Sequence, residues 1–315
     1  MVTVTEKIPY PVQVVAMHEG PHLDEVVALV LLHRFGRALF PGIETARVVF
    51  WPYGGQTPDG ASAENWLERG VLLLGQGSGM FDEHPDPKYG IPRKQGHSTT
   101  SLVAEYLDLD SKSPEGRAVA WLTKQVTDCD LNGGSGVLSI ESVMTAMYRN
   151  GRSSNEMLEQ GIIMMENFLD DQTKFQRAYD LACVGGSVSY RRCGNHMLAS
   201  ITSTSEHILK ATRSRGARLS IRRDSSTGHV TIMADHKAGL PLGDLVSELR
   251  RFENYGKLPI DTCPDEEGRL DNWFYHPQIG LITTGGGRAA KNTRPSRRSW
   301  SEIFLTIESW LKKQL

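Results

Sequence analysis

The sequence predicts an α/β protein with a mostly parallel sheet, helices on both faces of that sheet, a helical connector and a smaller α+β C-terminal domain. Near the N-terminus, short apolar runs alternate with helical patterns, as in proteins built on a parallel sheet. A long helical stretch follows, and the last third of the chain combines a hairpin pattern with amphipathic helices. We expect the two domains to comprise residues 1–190 and 191–315, because the pattern changes at that point.

The strands of the predicted parallel sheet are short apolar runs. Val12–Met17 follows a proline and is apolar at almost every position, which is typical of a strand buried on both faces. Arg47–Tyr53 and Val71–Leu74 are the next two such runs. Ligands collect at the carboxyl ends of parallel strands, so residues just after these strands are candidates for a site. The helices expected in this half are Asp24–Phe35, Glu64–Arg69, a helix from Ser98 or Thr99 to Leu107, and Pro114–Val126.

The second half of the chain has a different pattern. From Ser139 to Ala182 nearly every residue fits a helix, and this stretch is the expected connector. Arg218–Asp235 contains two apolar runs separated by the turn sequence DSSTG, which predicts a hairpin. The later elements expected are a helix at Asp244–Tyr255, a strand at Gly280–Thr284 and a closing amphipathic helix at Ser301–Lys313.

The composition is that of an ordinary globular protein. The chain has 315 residues, 39% hydrophobic and 23% charged, and this length suggests two domains of roughly 150 residues. The N-terminus lacks a signal-peptide pattern, no apolar run approaches the roughly 20 residues that span a bilayer, and the four cysteines form no C-x-x-C pair. We therefore expect a soluble, cytoplasmic protein with no membrane partner. The net charge of −2 argues against a polycation that binds nucleic acid through its overall charge.

Three metal-ligating side chains follow the first predicted strand. His18, His22 and Asp24 lie in the segment MHEGPHLDE, between that strand and the first helix. Imidazole and carboxylate groups bind first-row divalent metals, and the short spacing lets all three converge on one ion. The alternative is that both histidines are ordinary loop residues and that Asp24 is a charge favoured at a helix N-terminus.

Two further acidic segments come later in the chain. Asp82, Glu83 and His84 are contiguous in FDEHPD, so in an extended chain they point in alternating directions and reach one ion only where the backbone bends. A pair of ions would use such a set naturally, and the alternative is a polar surface loop. In TDCDLNGG, Asp128 and Asp130 come just past a predicted helix, and either could be a further ligand.

The order of these segments, with STTSLVAEYL between the second and the third, resembles the DHH phosphoesterase superfamily. The resemblance is closest to the branch of the MYG exonucleases. It implies that residues 1–190 form a catalytic domain that binds one or two divalent cations, Mn²⁺ or Mg²⁺, and cleaves phosphodiester bonds. The histidines favour Mn²⁺ or another transition ion over Mg²⁺.

The resemblance also assigns roles to individual residues. Among the implied ligands, His18, Asp24 and His84 are the implied catalytic residues. Gly75 stands where the superfamily has an aspartate after the third strand. The implied metal ligands are His18, His22, Asp24, Asp82, Glu83, His84 and either Asp128 or Asp130.

A glycine-rich basic segment, TTGGGRAAKNTRPSRRSW, is the candidate for substrate binding. Glycines let the backbone approach an anion closely, and an arginine fork suits phosphate. GGGRAA is similar to the glycine-rich motif of the small domain that accompanies DHH domains, which implies that residues 191–315 bind substrate; the alternative is a flexible basic loop. His276 could contact a phosphate, protonate a leaving group or be an ordinary core histidine. The candidate substrate-binding residues are His276, Gly286, Gly287, Arg288, Arg294 and Arg298.

These features predict a metal-dependent phosphoesterase. The resemblance favours an oligonucleotide degraded from one end as the substrate, with a small or cyclic nucleotide as the second option. The alternative function is that of a DHH-like protein that binds a nucleotide or a partner without hydrolysis, and Gly75 motivates it. The sequence leaves a homodimer open.

Overall fold

The chain forms two compact units, Met1–Thr173 and Lys174–Leu315. The division lies inside one long helix, Ser154–Cys183, and comes before the boundary expected at residue 190. Side chains from the first part of this helix belong to the core of the first unit, and those near its end belong to a core of the second. The computed structural model describes residues 8–52, 57–85, 90, 92, 94–133, 139–253, 273–284 and 295–314.

The first unit contains a three-stranded parallel sheet. β1 (Val14–His18) lies between β2 (Arg47–Trp51) and β3 (Val71–Leu73), so the strand order is β2-β1-β3. His18 pairs with Trp51 at the last position of the β1–β2 register. The predicted α/β class and the parallel pairing of these strands are confirmed.

Helices cover both faces of this sheet. The first helix, Leu23–Phe35, is buried on nearly all sides, because it is apolar around most of its circumference. On the opposite face of the sheet, Trp66 packs against Trp51 with ring centroids 5.1 Å apart. The helices of this part of the chain are α1 (Leu23–Phe35), α2 (Ala63–Glu68), α3 (Thr99–Leu107), α4 (Pro114–Asn132), α5 (Ile140–Arg149) and α6 (Ser154–Cys183).

The second unit is built on a mixed six-stranded sheet with the order β4-β5-β6-β7-β9-β8. β5 and β6 are parallel and joined through a helix, and the other neighbouring strands are antiparallel. This is the α+β arrangement expected for the C-terminal part. Its strands are β4 (Ser189–Cys193), β5 (His196–Thr202), β6 (Leu219–Arg223), β7 (Val230–Ala234), β8 (Phe274–His276) and β9 (Leu281–Thr283), and its helices are α7 (Ile208–Ser214), α8 (Leu242–Glu253) and α9 (Trp300–Lys312).

Among the described residues, no helix combines the length and the apolar character that a membrane crossing requires.

The hairpin between β6 and β7 turns at the predicted DSSTG segment. The Asp224 carboxylate accepts hydrogen bonds from the hydroxyl of Ser226, at 2.6 Å, and from the backbone N–H groups of Ser226 and Thr227. These bonds, the Ser226 hydroxyl foremost, lower the pKa of Asp224 from 3.8 to about 2. The turn is therefore stabilised by an ionised side chain.

Asp224→Ala should lower the free energy of unfolding by about 1 kcal/mol at pH 7. The pKa of Asp224 is lower in the folded state, at about 2, than its ordinary 3.8. The stabilisation that Asp224 gives the folded protein is therefore complete above the pKa of its unfolded state, and it is lost as the pH falls through the pKa of its folded state. The free energies of unfolding of the wild type and the variant, measured with urea, should become equal as the pH falls from 4 to about 2. A difference that stayed constant would mean that the charge of Asp224 does not stabilise the turn.

Candidate metal centre

The candidate site lies where β1 and β3 end. β1 ends at His18, and a short turn leads to His22, which is the N-cap of α1. His18 is buried and His22 is exposed. β3 runs beside β1 in the same direction, and Gly75 follows shortly after its end. The topology thus places the two segments that were predicted to bind metal at one edge of the sheet.

Glu25, in the first turn of α1, holds the turn after β1 together. Its Oε1 accepts a hydrogen bond from the backbone N–H of His18 at 3.0 Å, and its Oε2 accepts one from the N–H of His22 at 3.1 Å. Oε1 also lies 3.2 Å from Nδ1 of the His18 ring. Glu25 was not among the predicted ligands, although it directly follows Asp24 in the motif.

Asp24 connects α1 to the N-terminus of α3. Its Oδ2 accepts a hydrogen bond from the N–H of Thr99 at 2.8 Å, and its Oδ1 accepts one from the N–H of Thr100 at 2.9 Å. The hydroxyl of Thr100 donates to the backbone carbonyl of Asp24 at 2.6 Å. Asp24 therefore accepts hydrogen bonds from two N–H groups in the first turn of α3, where backbone N–H groups have no partner inside the helix.

The Asp82–His84 segment bends, as a shared site requires. Oδ1 of Asp82 accepts from the backbone N–H of His84 at 3.0 Å and lies 2.9 Å from Nδ1 of the same residue. Its Oδ2 accepts from the N–H of Ser78 at 2.7 Å. Burial alone would raise the pKa of Asp82, but the hydrogen bonds from His84 and Ser78 outweigh burial and lower it. The hydrogen bond that Asp82 accepts from the backbone N–H two residues later forms an Asx turn, and this turn bends the segment.

Glu83 is the most deeply buried acid of the cluster, with 2% of its surface exposed. Its Oε2 accepts a hydrogen bond from the hydroxyl of Thr99 at 2.9 Å, and its Oε1 lies 3.6 Å from Nδ1 of His84. Burial, and then the negative charge of Asp24, raise the pKa of Glu83. Two carboxylates that repel each other in a buried site would be stabilised by a cation.

Two groups of ligand atoms share Glu83. One consists of Asp82, Glu83 and His84, and the other of Asp24, Glu83 and Asp130. Within each group the ligand atoms all lie within 4.8 Å of one another. Carboxylate oxygen and imidazole nitrogen together form a donor set that suits Mn²⁺ and other first-row divalent ions. The residues present therefore fit the predicted cation.

The structure distinguishes the two aspartates of TDCDLNGG. Helix α4 continues to Asn132 and does not end at Val126 as predicted, so both aspartates lie within it. Its last turns are fixed to α3 by a buried hydrogen bond, 2.9 Å long, between the hydroxyls of Ser98 and Thr127. Both are exposed, but Asp130 lies in the second ligand group, whereas Asp128 forms an ion pair with Lys124.

The two predicted histidines of the first segment differ in their positions. The rings of His18 and His84 have centroids 6.2 Å apart and planes at 79°. His18 is therefore adjacent to the cluster, although neither ligand group of the described residues includes it. His22 is in neither group, and its backbone N–H serves the hydrogen bond to Glu25.

A scan against protein-family models and a search of curated proteins gave no match to this chain. The residue contacts therefore carry the functional argument.

The backbone of Gly75 lies close to the side chains of Thr99 and Glu25. Its φ is +65°, and a Cβ atom there would lie 3.1 Å from Oγ1 of Thr99 and 3.3 Å from Oε1 of Glu25. The carboxylate beside the end of β3 thus comes from helix α1 and not from residue 75.

The predicted substrate-binding residues belong to the second unit. Gly286, Gly287, Arg288 and Arg294 lie outside the described residues. His276 is on β8, and its Nδ1 is buried without a hydrogen-bond partner in the described part of the chain.

Arg298, the last of the predicted phosphate contacts, packs within the second unit. Its guanidinium carbon lies 4.3 Å from the ring centroid of Phe252, and Nη2 donates to the carbonyl oxygen of Phe252. Its Nη1 lies 3.9 Å from a carboxylate oxygen of Glu302. These contacts explain the position of Arg298 without a phosphate.

The sequence reasoning missed Glu25, Thr99 and Thr100. Ser98 and Thr99 were expected only to begin a helix, and Ser98 is its N-cap. The hydrogen bond from Thr99 to Asp24 spans 75 positions. No local pattern reveals such a contact, although the parallel sheet indicated which strand ends would meet.

Proposed function

We propose that this chain is a divalent-metal-dependent phosphoesterase that hydrolyses phosphodiester bonds. The observation that carries the proposal is that Glu83 belongs to both ligand groups. Ions in two-metal hydrolases lie about 3.5–4 Å apart, and a shared carboxylate offsets their repulsion. The resemblance of the ordered motifs to the DHH superfamily supports the same reaction. The residues that would hold one or two ions are Asp24, Asp82, Glu83, His84 and Asp130.

The ions, when bound, would lower the pKa of water and neutralise charge on the substrate phosphate. The chain's own residues would hold the ligands in position and exchange protons. Asp82 holds Nδ1 of His84 at 2.9 Å, and the His84 side chain is 39% exposed. His84 can therefore either ligate an ion or, where it does not, exchange a proton with solvent or with a leaving group. Thr99 keeps two carboxylates in place, because its hydroxyl donates to Glu83 and its backbone N–H donates to Asp24.

Mn²⁺ binding and hydrolysis together test this proposal. Isothermal titration with Mn²⁺ should show one or two sites, and the loaded protein should hydrolyse bis(p-nitrophenyl) phosphate. Parallel assays with a short RNA, a dinucleotide and a cyclic dinucleotide would identify the substrate class. Mn²⁺ binding without turnover of any of these would favour the alternative function, a protein that binds its ligand without hydrolysis. A wild-type protein that bound no divalent ion would refute the proposal.

Asp130 and Asp128 provide a matched pair of variants on one helix. Asp130→Asn should weaken Mn²⁺ binding and lower kcat/KM by at least about tenfold, because its carboxylate lies in a ligand group. Asp128→Asn removes only an exposed ion pair with Lys124, and both quantities should stay within about twofold of the wild type. Equal effects of the two substitutions would show that Asp130 is not a ligand.

A further inference from the structure

Glu25 is a buried carboxylate, 3% exposed, that contacts both the backbone and the ring of His18. Oε1 faces both the backbone N–H and the ring Nδ1 of His18, at 3.0 and 3.2 Å. Oε2 faces the backbone N–H of His22. One side chain therefore fixes both ends of the turn between β1 and α1, and also the ring of His18.

A carboxylate at this distance determines which ring nitrogen carries the proton. An ionised carboxylate only accepts hydrogen bonds, so the tautomer of His18 with its proton on Nδ1 is favoured. The lone pair then resides on Nε2. Metal-ligating histidines commonly donate their other nitrogen to a carboxylate in this way, and loss of that partner typically weakens metal binding 10–100-fold.

Gly75 provides the room for this carboxylate. A Cβ at residue 75 would lie 3.2 Å from Cγ and 3.3 Å from Oε1 of Glu25, tighter than ordinary van der Waals contact. The left-handed backbone at φ +65° also favours glycine there. A Cβ atom at position 75 would therefore require Thr99 or Glu25 to shift by a few tenths of an ångström.

We propose that Glu25 is a positioning residue, which fixes the tautomer and the orientation of His18 so that Nε2 coordinates a divalent ion beside the cluster. This inference rests on the proposed function for its metal. The competing explanation is that Glu25 only caps α1, since it also accepts from the N–H of His22. Glu141 provides the matched control, because its Oε2 accepts from the N–H of Leu23 in the same turn at 3.3 Å.

The first measurement is made on metal-free protein. Two-bond ¹H–¹⁵N spectra of the imidazole rings, with His18→Gln to assign the signal, should show the proton of His18 on Nδ1 at neutral pH. A proton on Nε2 would overturn the inference, whether or not the protein binds metal. This readout does not depend on activity, and the variant His18→Gln serves only to assign the signal.

The second measurement is the dissociation constant for Mn²⁺. Glu25→Gln should raise it 10–100-fold, because a neutral amide offers one acceptor where the carboxylate offers two. Glu141→Gln should leave it within about twofold. If Glu25→Gln left Mn²⁺ affinity unchanged while the wild type bound the ion, Glu25 would be a cap only. If the wild type bound no Mn²⁺, the proposed function would fail, while the spectra would still test the contact.

Discussion

Glu83→Gln should remove most Mn²⁺ binding and lower kcat/KM by more than about a hundredfold. Loss of a group that only orients a ligand costs 10–100-fold, and Glu83 belongs to both ligand groups, so its loss should cost more. The measurements are Mn²⁺ titration and hydrolysis of bis(p-nitrophenyl) phosphate. Glu19→Gln is the control, because Glu19 is an exposed carboxylate next to His18 that belongs to neither group.

The same substitution should not destabilise the metal-free protein. Burial, and then the charge of Asp24, raise the pKa of Glu83, so the ionised form is unfavourable without a cation. Glutamine keeps the shape and can still accept from the Thr99 hydroxyl, while the repulsion is removed. The melting temperature without metal should therefore stay equal or rise.

With added metal, the wild type should instead become more stable than Glu83→Gln. At an Mn²⁺ concentration of 100 times its dissociation constant, the wild type should gain about 2.7 kcal/mol, and Glu83→Gln should gain much less. A variant that lost stability without metal and kept its response to Mn²⁺ would show that Glu83 is a structural acid and not a ligand.

The parallel sheet made part of the site predictable. Apolar runs identified β1 and β3, and parallel strands bring their carboxyl ends to one edge of the sheet. The segment that follows β1 and the segment that follows β3 were therefore expected to meet. The structure places Asp24 close enough to Glu83 for the charge of Asp24 to raise the pKa of Glu83. That proximity follows from the parallel direction of the strands, which the sequence pattern predicted.

The rest depended on contacts between distant segments. Asp130 was not distinguishable from Asp128, because the choice depends on the face of α4, and that helix extends beyond its predicted end through contacts with α3. The contact of Arg298 with Phe252 was also not predicted, and its expected phosphate contact stays a prediction. Long side chains such as arginine find partners that only the folded core defines.

Asp24→Asn should have two large effects. Mn²⁺ binding and turnover should fall at least about tenfold, because Asp24 is in the second ligand group. The free energy of unfolding should also fall by about 2 kcal/mol, since both carboxylate oxygens accept backbone N–H groups of α3, and an asparagine presents an NH₂ to one of them. Its behaviour without metal should thus be opposite to that of Glu83→Gln.

Ser98→Ala separates the two roles of Asp24. Ser98 is the N-cap of α3, and its Oγ accepts from the N–H of Ser101, so its loss should cost about 0.5–2 kcal/mol and leave the Asp24 carboxylate in place. Ser98 also bonds the hydroxyl of Thr127 on α4, so Mn²⁺ affinity should fall slightly, and much less than in Asp24→Asn. A carboxylate oxygen has more than one lone pair, so Asp24 can accept from an N–H and also bind an ion. If Asp24→Asn lost stability like Ser98→Ala but kept full Mn²⁺ affinity, Asp24 would cap α3 without being a ligand.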